Sequence, residues 1–113
     1  MEHWRINYVT GDLNDVPGIG PATIKKFASD PDDTTRITNS HQLIGQYLML
    51  KGPDTADCTT SVREWNQKFW YYLKAKGITS HRSAIVLAIY LKVVSFFPDL
   101  SDMNEEDLEL EDA

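Results

Sequence analysis

The hexapeptide Val16-Pro-Gly-Ile-Gly-Pro21 constrains the fold of this chain more than any other stretch. Its two glycines flank one apolar residue, so the backbone can turn tightly and present no side chain on its outer surface. Pro21 favours the first position of a helix, because its missing amide hydrogen would have no intrahelical partner there. The pattern predicts a hairpin between a short first helix near residues 12–16 and a second helix from Pro21 to about Ala28.

The start of that second helix has the chemistry of an anion site. Its first amides have no partner within the helix, and the positive end of the helix dipole faces the same way. A phosphate oxygen suits such a position, and groups of this kind read no base edge. The sequence therefore predicts binding to double-stranded DNA that is independent of base sequence. The expected contact residues are Gly18, Ile19, Gly20, Ala22, Thr23, Lys25 and Lys26. The alternative is an ordinary helical corner, in which the glycines serve the turn alone.

The remaining segments predict an all-α, five-helix domain. No segment alternates apolar and polar residues for long enough to form a strand. Residues 4–9 are ambiguous between a short helix and an extended arm. Helix caps and glycine stops bound the later helices. The third helix is expected at about Ser40 to Lys51, with Asn39 or Ser40 as its cap. The fourth is expected from the capping box Ser61-Val-Arg-Glu64 to Gly77. The fifth is expected from a cap at Thr79 or Ser80 to Phe97, before Pro98.

The last helix is apolar on two sides. One stripe, Ile85, Ala88, Ile89, Val93 and Phe96, suits the core of the domain. A second stripe needs a cover of its own, because small domains leave few large apolar patches exposed. We expect a homodimer interface formed by Leu87, Tyr90, Leu91, Val94 and Phe97. The alternative cover is the N-terminal arm or the C-terminal tail of the same chain.

The charge of the chain is unevenly distributed. The net charge is −6, but residues 99–113 carry eight acids and no base. Residues 1–98 carry 11 basic and nine acidic residues, about +2 in total. We expect residues 1–98 to form the DNA-binding domain and residues 99–113 to form a disordered, solvated acidic tail.

Several function classes find no support in the sequence. The longest apolar run, Ala84 to Leu91, is too short for a membrane helix, and the N-terminus does not resemble a signal peptide. The single cysteine, Cys58, fits a reducing compartment. His3, His41 and His81 form no metal-binding pattern with it, and no nucleophile–base pair stands out. We expect a soluble intracellular protein without a metal, a cofactor or an enzymatic activity.

The aromatic helix before Gly77 invites a base-stacking interpretation, but its spacing favours packing. Trp65 and Trp70 recur with Phe69 at helical intervals, so we expect core positions for both tryptophans. Lys74 and Lys76 suit a solvated helix end, where cations complement the dipole.

Three stretches together resemble the barrier-to-autointegration factor family of small nuclear DNA-binding proteins. They are Val16-Pro-Gly-Ile-Gly20 with Lys25-Lys-Phe27, then Leu43-Ile-Gly-Gln-Tyr-Leu-Met-Leu-Lys51, then Phe69-Trp-Tyr-Tyr-Leu-Lys74 with Gly77 and Ser80-His-Arg-Ser83. Their order and spacing agree with the family across residues 16–97. The resemblance implies a SAM/HhH-like fold containing a helix-hairpin-helix motif and a dimer that bridges two duplexes.

The resemblance also implies particular contacts. The hairpin amides of Gly20, Ala22 and Thr23 would hold one strand, and Ser80, His81 and Arg82 at the start of the last helix would hold nearby backbone. It implies a nuclear location and, as possible partners, chromatin or nuclear-envelope proteins. The N-terminal segment departs from the family, because Arg5 is only a loose substitute for the family's lysine. The alternative function is therefore a protein–protein adaptor of the same fold that binds DNA weakly or not at all.

Overall fold

The structure, a computed structural model, describes residues 2–52 and 61–100. Within these ranges it contains helices and no strands, which confirms the all-α class. Five α-helices are present: α1 (Glu2–Ile6), α2 (Pro21–Ala28), α3 (Ser40–Lys51), α4 (Val62–Ala75) and α5 (Arg82–Phe96). Two 3₁₀ turns, Leu13–Asp15 and Pro98–Leu100, complete the described elements.

The helices with strong local signals have the expected bounds. α2 begins at Pro21, and α3 begins after Asn39, whose side chain accepts from the amide of Gln42 in a reciprocal capping box. α4 follows Ser61, whose hydroxyl accepts from the amide of Glu64 at 3.1 Å. Each of these signals lies within four residues, so no distant contact is needed to place the helix end.

The first segment of the hairpin is shorter than predicted. Residues 12–16 form a single 3₁₀ turn over Leu13–Asp15 instead of an α-helix. Asp12 caps this turn through the amide of Asn14, and Val16 is already extended. Proline at position 17 explains the early end, because it disfavours helical backbone in the residue before it. The ambiguous N-terminal segment supplies a helix instead, which is α1.

The centre of the core is α5, against which α4, α1 and α3 pack. Four members of its expected core stripe, Ile85, Ala88, Ile89 and Val93, are fully buried. The prediction is wrong for the fifth residue, Phe96, which lies in the last turn of α5 and is 54% exposed.

Aromatic packing joins α3 to α4. The Tyr47 and Trp65 rings stack with centroids 4.2 Å apart, and the indole N–H of Trp65 donates to the carbonyl of Tyr47 at 2.7 Å. The Tyr47 hydroxyl donates to the buried side chain of Asn66. Burial raises the pKa of the Tyr47 phenol well above its ordinary value, so this hydroxyl stays a donor.

The helix α1 packs on α5 at the edge of the core stripe and borders the second apolar stripe. Trp4 is buried, and its indole N–H donates to the carbonyl of Ala88 at 2.8 Å. The Lys92 ammonium lies under α1, donates to the carbonyls of Arg5 and Asn7 at 3.2 and 2.7 Å, and lies 4.8 Å from the Trp4 ring centroid. These acceptors compensate a buried cation whose pKa is lowered by desolvation.

The face that α1 leaves uncovered is narrower than the expected dimer interface. Tyr90 is only 2% exposed and belongs to the core, so it differs from its expected surface position. Leu87, Leu91 and Val94 are half-buried, and Phe97 is 50% exposed. Ile6 of α1 joins this surface and is 77% exposed.

Some expectations fall outside the described ranges. The acidic tail beyond residue 100 and Cys58 both lie there, so the structure describes neither. In the part of the chain that is described, no helix has both the length and the apolar character that a membrane span requires.

Candidate nucleic-acid interface

The hairpin is closed from within by apolar packing and one backbone hydrogen bond. Val16 and Phe27 are each 1% exposed, and Ile19 between the glycines is 6% exposed. The amide of Ile19 donates to the carbonyl of Val16 at 3.0 Å. The prediction of Ile19 as a DNA contact is therefore wrong, because its side chain is buried and its amide is bonded within the turn that it closes.

The hairpin packs directly on the start of α5. Gly18 has a φ of +92°, which favours glycine, and a Cβ there would lie 3.0 Å from Ile85 and 3.2 Å from the carbonyl oxygen of His81. The structure thus brings together the two regions, the hairpin and the entry to the last helix, that the sequence expectation assigned to DNA contact.

Three amides at the corner have no acceptor within the described residues. The first helical hydrogen bond runs from the amide of Ile24 to the carbonyl of Gly20 at 3.1 Å, so the amides of Gly20, Ala22 and Thr23 precede the ladder of α2. Gly20 has an extended backbone, with a φ of −120°, and a Cβ there would meet nothing within 4 Å. The corner is open to solvent, and its amides can donate to an anion without displacing a protein group.

The two hairpin lysines have different surroundings. Lys25 is exposed beside the open corner. Lys26 is also exposed, but its ammonium donates at 2.6 Å to the carbonyl of Gly77, which follows α4. This bond ties α2 to the segment that leads into α5, so the charge of Lys26 has a fixed position. The exposed side chain of Lys25 can adjust its position to a ligand.

The entry to α5 is exposed at two of the three expected residues. Ser80 and His81 lie on the surface, and His81 takes a left-handed conformation with a φ of 60°. Its side chain makes no capping hydrogen bond to α5. This left-handed residue explains why α5 begins later than the predicted caps at Thr79 or Ser80.

Arg82, a predicted phosphate contact, is buried. It is 1% exposed, its guanidinium donates to the carbonyl of Ile78 at 3.0 Å, and its Cζ lies 4.1 Å from the Trp70 ring centroid. The Nε atom of Arg82 and the indole nitrogen of Trp70 are both buried without an acceptor in the described structure. In this position Arg82 supports Trp70 and the turn before α5, and it is not a surface cation.

Sequence reasoning missed the outer face of α4, which lies beside this entry. Trp65 is buried as expected, but Trp70 is only partly buried. Tyr71 is 62% exposed and meets the Trp70 ring edge-on at 5.0 Å, while the ammonium of Lys74 lies 5.8 Å from the same ring. A signal was available in the sequence, because Lys68, Tyr71 and Lys74 recur every three residues and so lie near one another on a helix.

No metal site competes with this interpretation in residues 2–52 and 61–100, where no group of three or more histidine, cysteine or acidic side chains is arranged to hold an ion. Comparison of the chain with protein-family models, with curated proteins and with solved structures gave no match.

Proposed function

We propose that this protein binds double-stranded DNA independently of base sequence, through the amides of the hairpin corner. One observation carries the proposal: the amides of Gly20, Ala22 and Thr23 stand together at an open helix start without acceptors among the described residues. Phosphate oxygens supply the missing acceptors, and the dipole of α2 favours their negative charge.

Flanking groups extend the contact along the DNA backbone. Lys25 is exposed one turn into α2, and Ser80 and His81 are exposed on the neighbouring segment that packs against Gly18. A hydroxyl and an imidazole can donate to a phosphate as amides do. Contacts of these groups with phosphates do not distinguish one base pair from another. The contact set therefore favours a duplex of any sequence.

We propose further that two copies of the chain pair through the uncovered face of α5 and so bridge two duplexes. The face consists of Leu87, Leu91 and Val94 of α5, Phe97 just after it and Ile6 of α1, with Arg5 and Ser95 at its edge. A hydrophobic face of this kind is typical of a surface that a second copy covers. Each protomer would then carry one hairpin.

Substitution at Gly20 tests DNA binding without disturbing the fold. Gly20→Glu places bulk and negative charge at the open corner, and we expect it to abolish a gel shift that the unaltered protein gives with a random-sequence duplex at low salt. Gly20→Ala is the matched control, because its added methyl group meets no neighbour and its backbone is extended. It should retain most of the affinity.

Salt supplies the second arm of the same experiment. Binding to phosphates releases counterions, so the affinity of the unaltered protein should fall steeply as salt rises. The proposal is wrong if the protein leaves duplex DNA unshifted at low salt, or if Gly20→Glu binds as well as Gly20→Ala. Absence of any DNA binding would favour the adaptor alternative.

A further inference from the structure

Positive charge is concentrated in the second half of the described chain. The segment from Val62 to Phe96 contains six basic residues and one acid, Glu64, whereas residues 2–52 contain five basic and six acidic residues. Two of the six cations, Arg82 and Lys92, are buried, and Lys76 pairs with Asp30 at 2.7 Å. The cations left at the surface of this segment are Arg63, Lys68 and Lys74, all on α4.

An exposed aromatic ring lies between two of these cations. Tyr71 is 62% exposed, and Lys68 and Lys74 lie three residues before and after it, about 9 Å apart along the helix axis. Gln67, one turn before Tyr71, is exposed as well. We call the surface formed by Gln67, Lys68, Tyr71 and Lys74 the α4 face.

The α4 face has a fixed relation to the hairpin. Gly18 packs on the entry to α5, Arg82 at that entry stacks on Trp70, and Trp70 meets Tyr71 edge-on. The ring of Tyr71 is thus held against a partly buried tryptophan that is itself held by a buried arginine. Only two side chains separate the α4 face from the segment against which the hairpin packs.

We infer that the α4 face binds a single-stranded nucleic-acid segment, with one unpaired base stacked on Tyr71 and the adjoining phosphates on Lys68 and Lys74. Base–aromatic stacking beside cations is the way proteins bind single strands without reading sequence. The inference rests on the proposed function and deepens it, because the hairpin and the α4 face both adjoin the entry to α5, through Gly18 and through Arg82 with Trp70. The substrate class is then a duplex with an unpaired end, in preference to a blunt duplex.

The aromatic ring distinguishes this ligand from an acidic peptide. A peptide of acidic side chains would need the lysines but gain little from the ring, whereas a base needs the ring itself. Tyr71→Ala removes the ring at an exposed position, so the fold should survive, and Tyr71→Phe is the matched control that keeps it. Circular dichroism checks that both variants are folded.

The experiment measures fluorescence anisotropy with three labelled probes: a blunt duplex, the same duplex with a thymidine extension, and a free thymidine oligonucleotide. We expect the full chain to bind the extended duplex about tenfold more tightly than the blunt one. Tyr71→Ala should bring the two affinities together, and Tyr71→Phe should keep the difference. Unequal binding that survives Tyr71→Ala, or equal binding by the unaltered chain, would overturn the inference.

A second pair of measurements separates this inference from the proposed function. Gly20→Glu should lose the blunt duplex yet still bind the free oligonucleotide, and Tyr71→Ala should weaken the oligonucleotide yet keep the blunt duplex. If the oligonucleotide binds through Tyr71 while no duplex binds, the α4 face stands and the hairpin function fails. If polyglutamate displaces the oligonucleotide and binds Tyr71→Ala as well as the unaltered chain, the α4 face recognises charge alone and the inference fails.

Discussion

At the scale of single residues, the two hairpin glycines have different roles. Gly18 combines a positive φ with a close approach to α5, while Gly20 is extended and has open space where a side chain would be. The first glycine therefore serves the fold, and the second serves access to the amides. From the sequence the two positions look alike, because the contact of Gly18 with Ile85 joins segments that are far apart in the chain.

Alanine at each glycine should separate these roles by stability. Gly18→Ala forces a left-handed conformation on a side chain and a 3.0 Å contact with Ile85, so we expect a loss of about 1–2 kcal/mol in the free energy of unfolding. Gly20→Ala should change it by no more than about 0.5 kcal/mol. Urea denaturation measures both, and equal losses would contradict the assignment.

The burial of two basic residues could not be predicted from the sequence. Arg82 was expected at the surface and is buried against Trp70, 12 residues earlier in the chain. Lys92 interrupts an apolar helix and is satisfied by carbonyls of Arg5 and Asn7, more than 80 residues away. Charge predicts exposure for an isolated residue, but buried cations find partners that only the tertiary fold supplies.

At the scale of elements, the connection between α2 and α3 is fastened to the end of α4. The carboxylate of Asp30 accepts from the ammonium of Lys76 at 2.7 Å, from the amide of Asp32 at 2.9 Å and from the hydroxyl of Thr35 at 2.7 Å. These bonds, that of Lys76 foremost, hold the pKa of Asp30 well below its ordinary value of 3.8.

The phenol of Tyr72 on α4 is also affected. Burial raises its pKa to about 12, and the negative charge of Asp30 has a smaller effect in the same direction.

The lowered pKa gives this fastening a definite pH dependence. Because the folded chain holds Asp30 ionised more strongly than the unfolded chain does, its contribution to stability is complete above about pH 4 and is lost as the pH falls below that. Asp30→Asn should lower stability at neutral pH and make the acid decline in urea midpoint shallower than that of the unaltered protein.

Lys76→Gln tests the cause of that pH dependence from the other side of the bond. It removes the largest influence on Asp30 while keeping the carboxylate, so the acid decline should again become shallower. If both variants lose stability with pH as steeply as the unaltered protein, the Asp30–Lys76 bond does not fasten the loop.

Element bounds were predictable where the signal was local and missed where it was not. Pro21, the Asn39 cap and the Ser61 cap place α2, α3 and α4 from a few adjacent residues. The entry to α5 depends on the left-handed His81, a conformation that is uncommon for any residue other than glycine. At Leu13–Asp15 a 3₁₀ turn takes the place of the predicted helix, because Pro17 disfavours helical backbone at Val16 and leaves too few residues for an α-helix.

At the scale of the whole molecule, part of the surface of α5 is covered by the N-terminal helix of the same chain. Trp4 packs at the edge of the core stripe through Ala88, and Ile6 borders Leu91 and Val94 of the second stripe. The remaining surface around Leu91, Val94 and Phe97 is the part proposed to pair with a second copy. The apolar pattern of α5 marks every buried position in the same way. It therefore does not distinguish positions covered by the same chain from positions that a second copy would cover.

A charge at the centre of that surface should prevent pairing. Leu91→Glu places a carboxylate on the half-buried face between Ile6 and Val94, and we expect the variant to sediment as a monomer where the unaltered protein sediments as a dimer. Met49→Glu on α3 is the control, since Met49 is 78% exposed outside this surface, and it should remain dimeric. A monomeric unaltered protein would contradict the bridging proposal while leaving DNA binding by one protomer intact.

Amide-resolved NMR can observe whether the open amides of the hairpin corner hold DNA phosphates, as we propose. During titration with a short duplex, the ¹⁵N–¹H resonances of Gly20, Ala22 and Thr23 should move progressively and more than that of Gly45 in the middle of α3. If those three resonances stay in place while resonances elsewhere move, DNA is bound by another surface and the account is wrong.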